Sequence, residues 1–192
     1  KIKNDFPQLI GGSADLAPSN KTHMNGLGSF QKDSPEGRNI HFGVRENAMA
    51  GVGNGIMYHG GLKGYVSTFF VFTDFFKPMA RLSSISKLPL IYIMTHDSVV
   101  VGEDGPTHQP IEQLAMLRAQ PNINVFRPAD YTETMAGWAV ALSATETPTV
   151  LVLTRQNLPQ LKGSSKEAIK GGYVVSKEQS QIDGILIATG SE

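Results

Sequence analysis

The stretch from Thr95 to Pro110, THDSVVVGEDGPTHQP, places His96, Asp104 and His108 in one short connection, the last two four residues apart. An imidazole and a carboxylate so spaced can hold hydroxyls and move protons during chemistry at a carbonyl. Gly102, Gly105, Pro106 and Pro110 restrict the loop, and Pro110 just ahead of Glu112 reads as a helix start whose free amides suit oxygens or anions. A solvated turn is the plain alternative, although turn chemistry does not require the histidine. His96, beside Asp97 at the end of an apolar run, also reads as a satisfied core histidine. The three side chains match none of the strong metal-ligand spacings, and no metal ligand is assigned.

Other candidates stand elsewhere in the chain. In HFGVRENAMAGVGNGI, Glu46 opens a helix. It is either a helix-terminal acid favoured by the positive helix end or a carboxylate set to exchange a proton with a ligand nitrogen. In STFFVFTDFF, Phe69, Phe72 and Phe75 recur every three residues, which suits core packing or an aromatic wall against a flat heterocycle. LTRQNLP presents Arg155, and GGSADLAPSN presents Asp15, Leu16 and Ser19. An arginine fork with a hydroxyl can grip a phosphate, whereas singly they read as a surface ion pair and a turn cap.

These residues need elements to carry them. GYVSTFF (64–70), LPLIYIMTH (88–96), INVFRPA (123–129) and TPTVLVLTR (147–155) are apolar, β-branched runs of buried-strand length, and QLIGG and NIHFG are shorter candidates. Between them helical spacing runs from Ala48 to Tyr58, Phe72 to Ile85, Ile111 to Ala119 and Asp130 to Ala144. Continuous apolar strands alternating with helices predict an α/β module of three layers, a mostly parallel sheet with helices on both faces. Such sheets bind ligands beyond the carboxyl ends of their strands. The segments following the runs, GSAD, GVRE, STFF, THDS with the loop after it, RPAD and TRQN, therefore take the functional reading first.

Composition bounds the partners. With 192 residues and 40% apolar content the chain can bury a real core, and its 17 basic and 17 acidic residues cancel, so no net field draws it to nucleic acid or an anionic membrane. The absence of cysteine excludes disulfides, thiolate metal sites and cysteine nucleophiles, and fits a reducing, cytoplasmic setting. No stretch has the length of a signal peptide or a membrane span, and the missing initiator Met suggests a piece of a longer chain. After Leu161 the polar KGSSKEAIKGGYVVSKEQSQ precedes an apolar IDGILIATGSE, which reads as a linker running into the first strand of a further domain.

GSADLAPSN, GVRENAMAGVGNGI, GEDGPTHQPIEQL, RPAD and RQNLPQL, in this order and spacing, resemble the pyrimidine-binding domain of the transketolase family, from about Gly11 through Gly172. The resemblance implies a thiamine diphosphate-binding pyrimidine domain over 1–160, with a linker and the first strand of a truncated C-terminal domain over 161–192. It implies transfer of a two-carbon ketol unit from a ketose phosphate to an aldose phosphate in the pentose phosphate pathway, with thiamine diphosphate and Mg²⁺ or Ca²⁺. The family binds the diphosphate and metal on an N-terminal domain of which this sequence shows no motif, and forms its site between the subunits of a homodimer. The isolated chain is therefore expected to be inactive.

Residue by residue, the resemblance assigns Glu46 to the cofactor's aminopyrimidine ring, where it promotes the imino form whose nitrogen deprotonates the thiazolium carbon. It assigns Phe69, Phe72 and Phe75 to the pocket for that ring, and Asp15 and Leu16 to contacts near the cofactor. Asp104 falls near the donor's C2 hydroxyl, His108 near its first carbons in a catalytic role, and His96 further toward the phosphate. Ser19 and Arg155 match part of the phosphate grip. The alternatives are deoxyxylulose phosphate synthase or a dihydroxyacetone synthase-like enzyme, which share the module, and a separately encoded, non-catalytic half subunit.

Overall fold

Short runs rich in β-branched, aliphatic and aromatic residues become strands β1 (Leu9–Ser13), β2 (Asn39–His41), β3 (Lys63–Phe69), β4 (Ile91–Thr95), β5 (Asn124–Phe126) and β6 (Thr149–Val152). The structure, a computed structural model, describes residues 2–192; Lys1, the first residue of the expected 1–160 domain, lies outside them. The strands form one sheet in the order β2-β1-β3-β4-β6-β5, and every pairing between them is parallel. Their carboxyl ends therefore share one edge.

The strands are shorter than the apolar runs for local reasons. In 88–96, Leu88 closes the preceding helix through its amide to Ser83 O at 2.8 Å, and Pro89 has no amide to give a ladder, so β4 begins at Ile91. In 123–129, β5 ends at Phe126 because Arg127 turns to an ion pair and Pro128 cannot donate.

Helices α1 (Ile2–Asp5), α2 (Ala17–Asn20), α3 (Glu46–His59), α4 (Thr73–Ile85), α5 (Gln113–Arg118) and α6 (Tyr131–Ser143) complete the elements used here. The short α1 and α2 were not expected from spacing. Helix α5 is shorter than expected, and the Ile111 amide before it is taken by Gln113 Oε1 at 2.8 Å. That correction removes the anion-binding helix start read from Pro110, since an amide engaged by its own helix is not free for a ligand.

Successive residues of a strand point to opposite faces, and here both faces are covered. Val66, Phe70, Tyr92, Met94, Val150 and Val152 pack with Met49 of α3 and Phe76 and Ala80 of α4. Tyr65, Ile91, Ile93 and Leu151 pack on the other side with Ala141 and Trp138 of α6. Each large apolar side chain so buried contributes about 1.5–3 kcal/mol. Helix α3 sits so close to the sheet that a Cβ on Gly53 would stand 2.9 Å from Leu90 Cδ2. The Tyr92 hydroxyl is buried with a partner, Ser83 Oγ at 2.6 Å, which reaches Asn54 Oδ1 at 2.5 Å and ties α4 to α3.

Past β6 the chain is anchored by polar contacts. Asp130 caps α6 by accepting from Glu133 N at 2.9 Å, and also accepts from Gln160 Nε2 at 2.6 Å, Leu161 N at 3.1 Å and Ser164 Oγ at 2.9 Å. A 3₁₀ turn follows at Lys166–Lys170, and no helix or strand is described beyond it. The strand expected in IDGILIATGSE does not form, and Ile185, Leu186 and Ile187 are exposed. A single strand has no neighbour to satisfy its backbone groups, so this sequence cannot hold a strand by itself.

Candidate functional site

Each strand end delivers a candidate residue to the same edge. After β1, Ala14, Asp15 and Leu16 lead into α2, which carries Ser19; Asp15 takes a left-handed backbone with φ 63°. After β2, Val44 precedes Glu46, the first residue of α3. Phe69 ends β3, a 3₁₀ turn carries Phe72, and Phe75 lies in the first turn of α4. His96 follows β4, Asp104 and His108 lie on two 3₁₀ turns at Gly102–Asp104 and Pro106–His108, and Arg155 follows β6.

These residues line two adjoining cavities. One, of about 400 Å³, is bounded by Ala14, Asp15, Leu16, Val44, Glu46, Phe72, Phe75 and His108. The other, of about 380 Å³, is bounded by Leu16, Ser19, Phe69, His96, Asp104, His108 and Arg155. Leu16 and His108 belong to both. Every residue singled out in the sequence is present in one cavity or the other. Ala14 and Val44 were missed; small or apolar residues carry no chemical signal, and only their position after a strand could have marked them.

The first cavity is apolar except at two carboxylates, Asp15 and Glu46, and the His108 imidazole. Phe72 and Phe75 stack with ring centroids 5.8 Å apart, and Phe69 continues the row 6.1 Å from Phe72. Phe75 is 59% exposed, which core packing does not explain. Glu46 is buried, and among the described residues none bonds its carboxylate. A buried carboxylate at a helix's positive end, in one cavity with aromatic rings, suits a flat ring that brings a hydrogen-bonding nitrogen. The donor set of this cavity thus fits a heterocycle such as a pyrimidine.

The second cavity is polar. His96 has φ 66°, a left-handed conformation unusual for a residue with a Cβ, and its ring stacks on Phe69 at 3.8 Å. Burial pushes its imidazole below the ordinary range, with Asp104 opposing and Arg155 and His108 reinforcing the shift. The ring therefore tends to be neutral at pH 7. His108 stands edge-on to Phe72 at 5.3 Å and to Phe69 at 6.1 Å, so the aromatic row supports both histidines. Arg155 reaches Glu103 only at 3.9 Å in solvent, which leaves its guanidinium available. Among the described residues no group of three or more histidines and acids is placed to hold a metal ion.

A second ring of contacts holds the loops. Asp97 pairs with Arg127 Nε at 2.6 Å, the two side chains only 10% and 12% exposed, which fastens the end of β4 to the end of β5. Ser98 Oγ donates to Gln156 Oε1 at 2.8 Å and Gln109 Nε2 to Ser98 O at 3.0 Å, folding the loop toward Arg155. Gln113 Nε2 donates to Asp74 at 3.1 Å, linking α5 to the start of α4. Several of these residues stand inside the motifs quoted above, Arg127 in RPAD, Gln109 and Gln113 in GEDGPTHQPIEQL and Gln156 in RQNLPQL, but sequence reading gave them no role, because their partners lie in distant segments.

Comparison with known proteins agrees with this geometry. The transketolase pyrimidine-binding domain model matches residues 1–160. The transketolase of Geobacillus stearothermophilus is 56% identical over 196 residues, covering 100% of this chain and 29% of that protein. A transketolase from Pichia stipitis in complex with sedoheptulose-7-phosphate superposes with a TM-score of 0.90 at 50% identity, over 93% of this chain and 28% of the other. A split-gene transketolase described as an inactive beta4 tetramer gives a TM-score of 0.64 at 31% identity, over 86% of this chain and 51% of the other. The chain thus spans less than a third of the first two relatives and about half of the third. With its parallel sheet, its paired cavities and these matches, the chain belongs to the transketolase family as its pyrimidine-binding domain.

Proposed function

We propose that this chain supplies the pyrimidine-binding and sugar-binding half of a transketolase active site, which moves a two-carbon ketol unit from a ketose phosphate to an aldose phosphate. The observation that carries this reading is the contact between the two cavities through Leu16 and His108, an aromatic cavity with a buried acid opening onto a polar one. The diphosphate and a divalent cation would be held by a separate domain, contributed by a second subunit of a homodimer in a cytoplasmic enzyme. Residues 1–160 would form the module, and 161–192 would lead into a further domain whose sheet accepts Ile185–Ile187. No helix among the described residues is long and apolar enough to cross a membrane.

When bound, thiamine diphosphate supplies a nucleophilic carbon and an electron sink for breaking the bond beside the ketose carbonyl. Glu46 would hold the pyrimidine ring nitrogen and share its proton there. Phe69, Phe72 and Phe75 would bear on the ring and exclude water, while Asp15 and Leu16 close the cavity floor. Asp104 would accept from a sugar hydroxyl beside the reacting carbonyl, and His108, at the boundary of the cavities, would bind and exchange protons at the first carbons. His96, Ser19 and Arg155 would hold the phosphate end, Arg155 by its fork of donors.

The test is product identification in the enzyme assembled from this chain and a diphosphate-binding half, with thiamine diphosphate and Mg²⁺. Xylulose 5-phosphate and ribose 5-phosphate are expected to yield sedoheptulose 7-phosphate and glyceraldehyde 3-phosphate. Deoxyxylulose phosphate formed from pyruvate and glyceraldehyde 3-phosphate, or dihydroxyacetone formed when formaldehyde is the acceptor, in place of those products would assign the chain to another thiamine enzyme instead.

A further inference from the structure

Beneath His96 lies a chain of buried polar groups that the proposed chemistry does not use. The Leu16 amide donates to Ser13 Oγ at 3.1 Å, and Ser13 Oγ donates to Asn20 Oδ1 at 2.6 Å. Asn20 Nδ2 donates to Thr95 Oγ1 at 2.6 Å, and Thr95 Oγ1 lies 2.8 Å from His96 Nδ1. Ser13, Asn20, Thr95 and His96 are all buried.

The direction of this chain is fixed at its first member, because a backbone amide can only donate. With the Leu16 amide donating, Ser13 passes its single proton to Asn20 Oδ1, which turns Asn20 Nδ2 toward Thr95. Thr95 then accepts from Asn20 and has one proton left, for which His96 Nδ1 is the acceptor. Reversing the order would leave the Ser13 hydroxyl proton buried without an acceptor among the described residues. Both hydroxyl protons find an acceptor in one direction, and that of Ser13 is stranded in the other.

We propose that Ser13, Asn20 and Thr95 act as positioning residues that hold His96 as the tautomer with Nδ1 bare and Nε2 protonated, so that the ring offers an N–H donor to the cavity. Among the described residues nothing bonds Nε2 of this ring, which lines the polar cavity with Asp104, His108 and Arg155. A ring so fixed donates to a ligand oxygen, and a hydroxyl or phosphate oxygen of a sugar phosphate is the matching acceptor. That last step rests on the function proposed above; the tautomer itself does not. The stack on Phe69 at 3.8 Å and the left-handed backbone set the plane of the ring, and the buried chain sets its protons.

Nitrogen NMR of the protein labelled at histidine, at pH 8, reads the tautomer without any need for turnover. The expected signature for His96 is a pyridine-type Nδ1 and a pyrrole-type Nε2; the opposite pattern, or a doubly protonated ring, overturns the proposal. Asn20→Asp can only accept from Thr95, so it should turn Nδ1 pyrrole-type, and an unchanged Nδ1 in the folded variant contradicts the relay. In the assembled enzyme, Thr95→Val should raise KM for the ketose phosphate about tenfold with kcat little changed, and Thr95→Ser should restore it. An unchanged KM in Thr95→Val, or no rescue by Thr95→Ser, counts against it. A correct tautomer without ketol transfer would defeat the proposed function alone.

Discussion

The two cavities share a wall yet are built in opposite ways. The aromatic row draws on residues close in sequence, with Phe69, Phe72 and Phe75 on one strand-to-helix passage and Glu46 at the head of the helix before it. The polar cavity collects Ser19, His96, Asp104, His108 and Arg155 from segments spread across the chain. Local rows of aromatic rings hold themselves in place, because each packs on the next. Dispersed polar groups do not, so that side of the site is backed by buried bonds, the Asp97–Arg127 pair and the Ser13–Asn20–Thr95 chain.

Substitutions can sharpen or break this contrast. The largest effect is expected at Glu46, where Glu46→Ala in the assembled enzyme should lower turnover at least about a hundredfold, the range for loss of a positioned proton-transfer group. Steady-state kinetics decides it, and unchanged turnover would remove the acid from its assigned role. Next comes the frame of the polar cavity. Asp97→Ala strands a buried guanidinium and should cost about 3 kcal/mol by denaturant unfolding, near the lower end for a broken buried pair because Glu192 also reaches Arg127. A change below about 1 kcal/mol would mean that the polar side needs no such frame.

The smallest expected effect is the pH dependence carried by His96. Its folded-state pKa lies below the ordinary 6.5, so its neutral form contributes stability that is fully present above that pH. That stability is lost as the pH falls from 6.5 toward the folded pKa. Thermal midpoints of the protein and of His96→Gln should therefore run parallel above pH 6.5 and converge below it. Parallel curves throughout would place the ring in solvent.

The same contrast explains what could be read from the sequence. Strands and long helices were legible because apolar runs and helical spacing follow directly from burial on two faces of a parallel sheet. The candidate site residues were legible as types placed after strands, with Glu46 and the phenylalanines each open to a structural and a functional reading. What was not legible was the support: Asn20 and Thr95 look like any loop amide and strand hydroxyl until the fold brings them 2.6 Å apart across 75 residues. Nor did the pattern show that Gln113 would occupy the amide before α5, or that IDGILIATGSE would remain irregular without a sheet to join. Long-range pairing decides each of these, and a pattern along the chain does not contain it.

The central claim is that this chain holds one half of an active site. Its most direct test is ketol transfer from xylulose 5-phosphate to ribose 5-phosphate, measured with thiamine diphosphate and Mg²⁺ for this chain alone and for the chain joined to a diphosphate-binding half. The account predicts no product from the first and turnover from the second; product from the chain alone would contradict it.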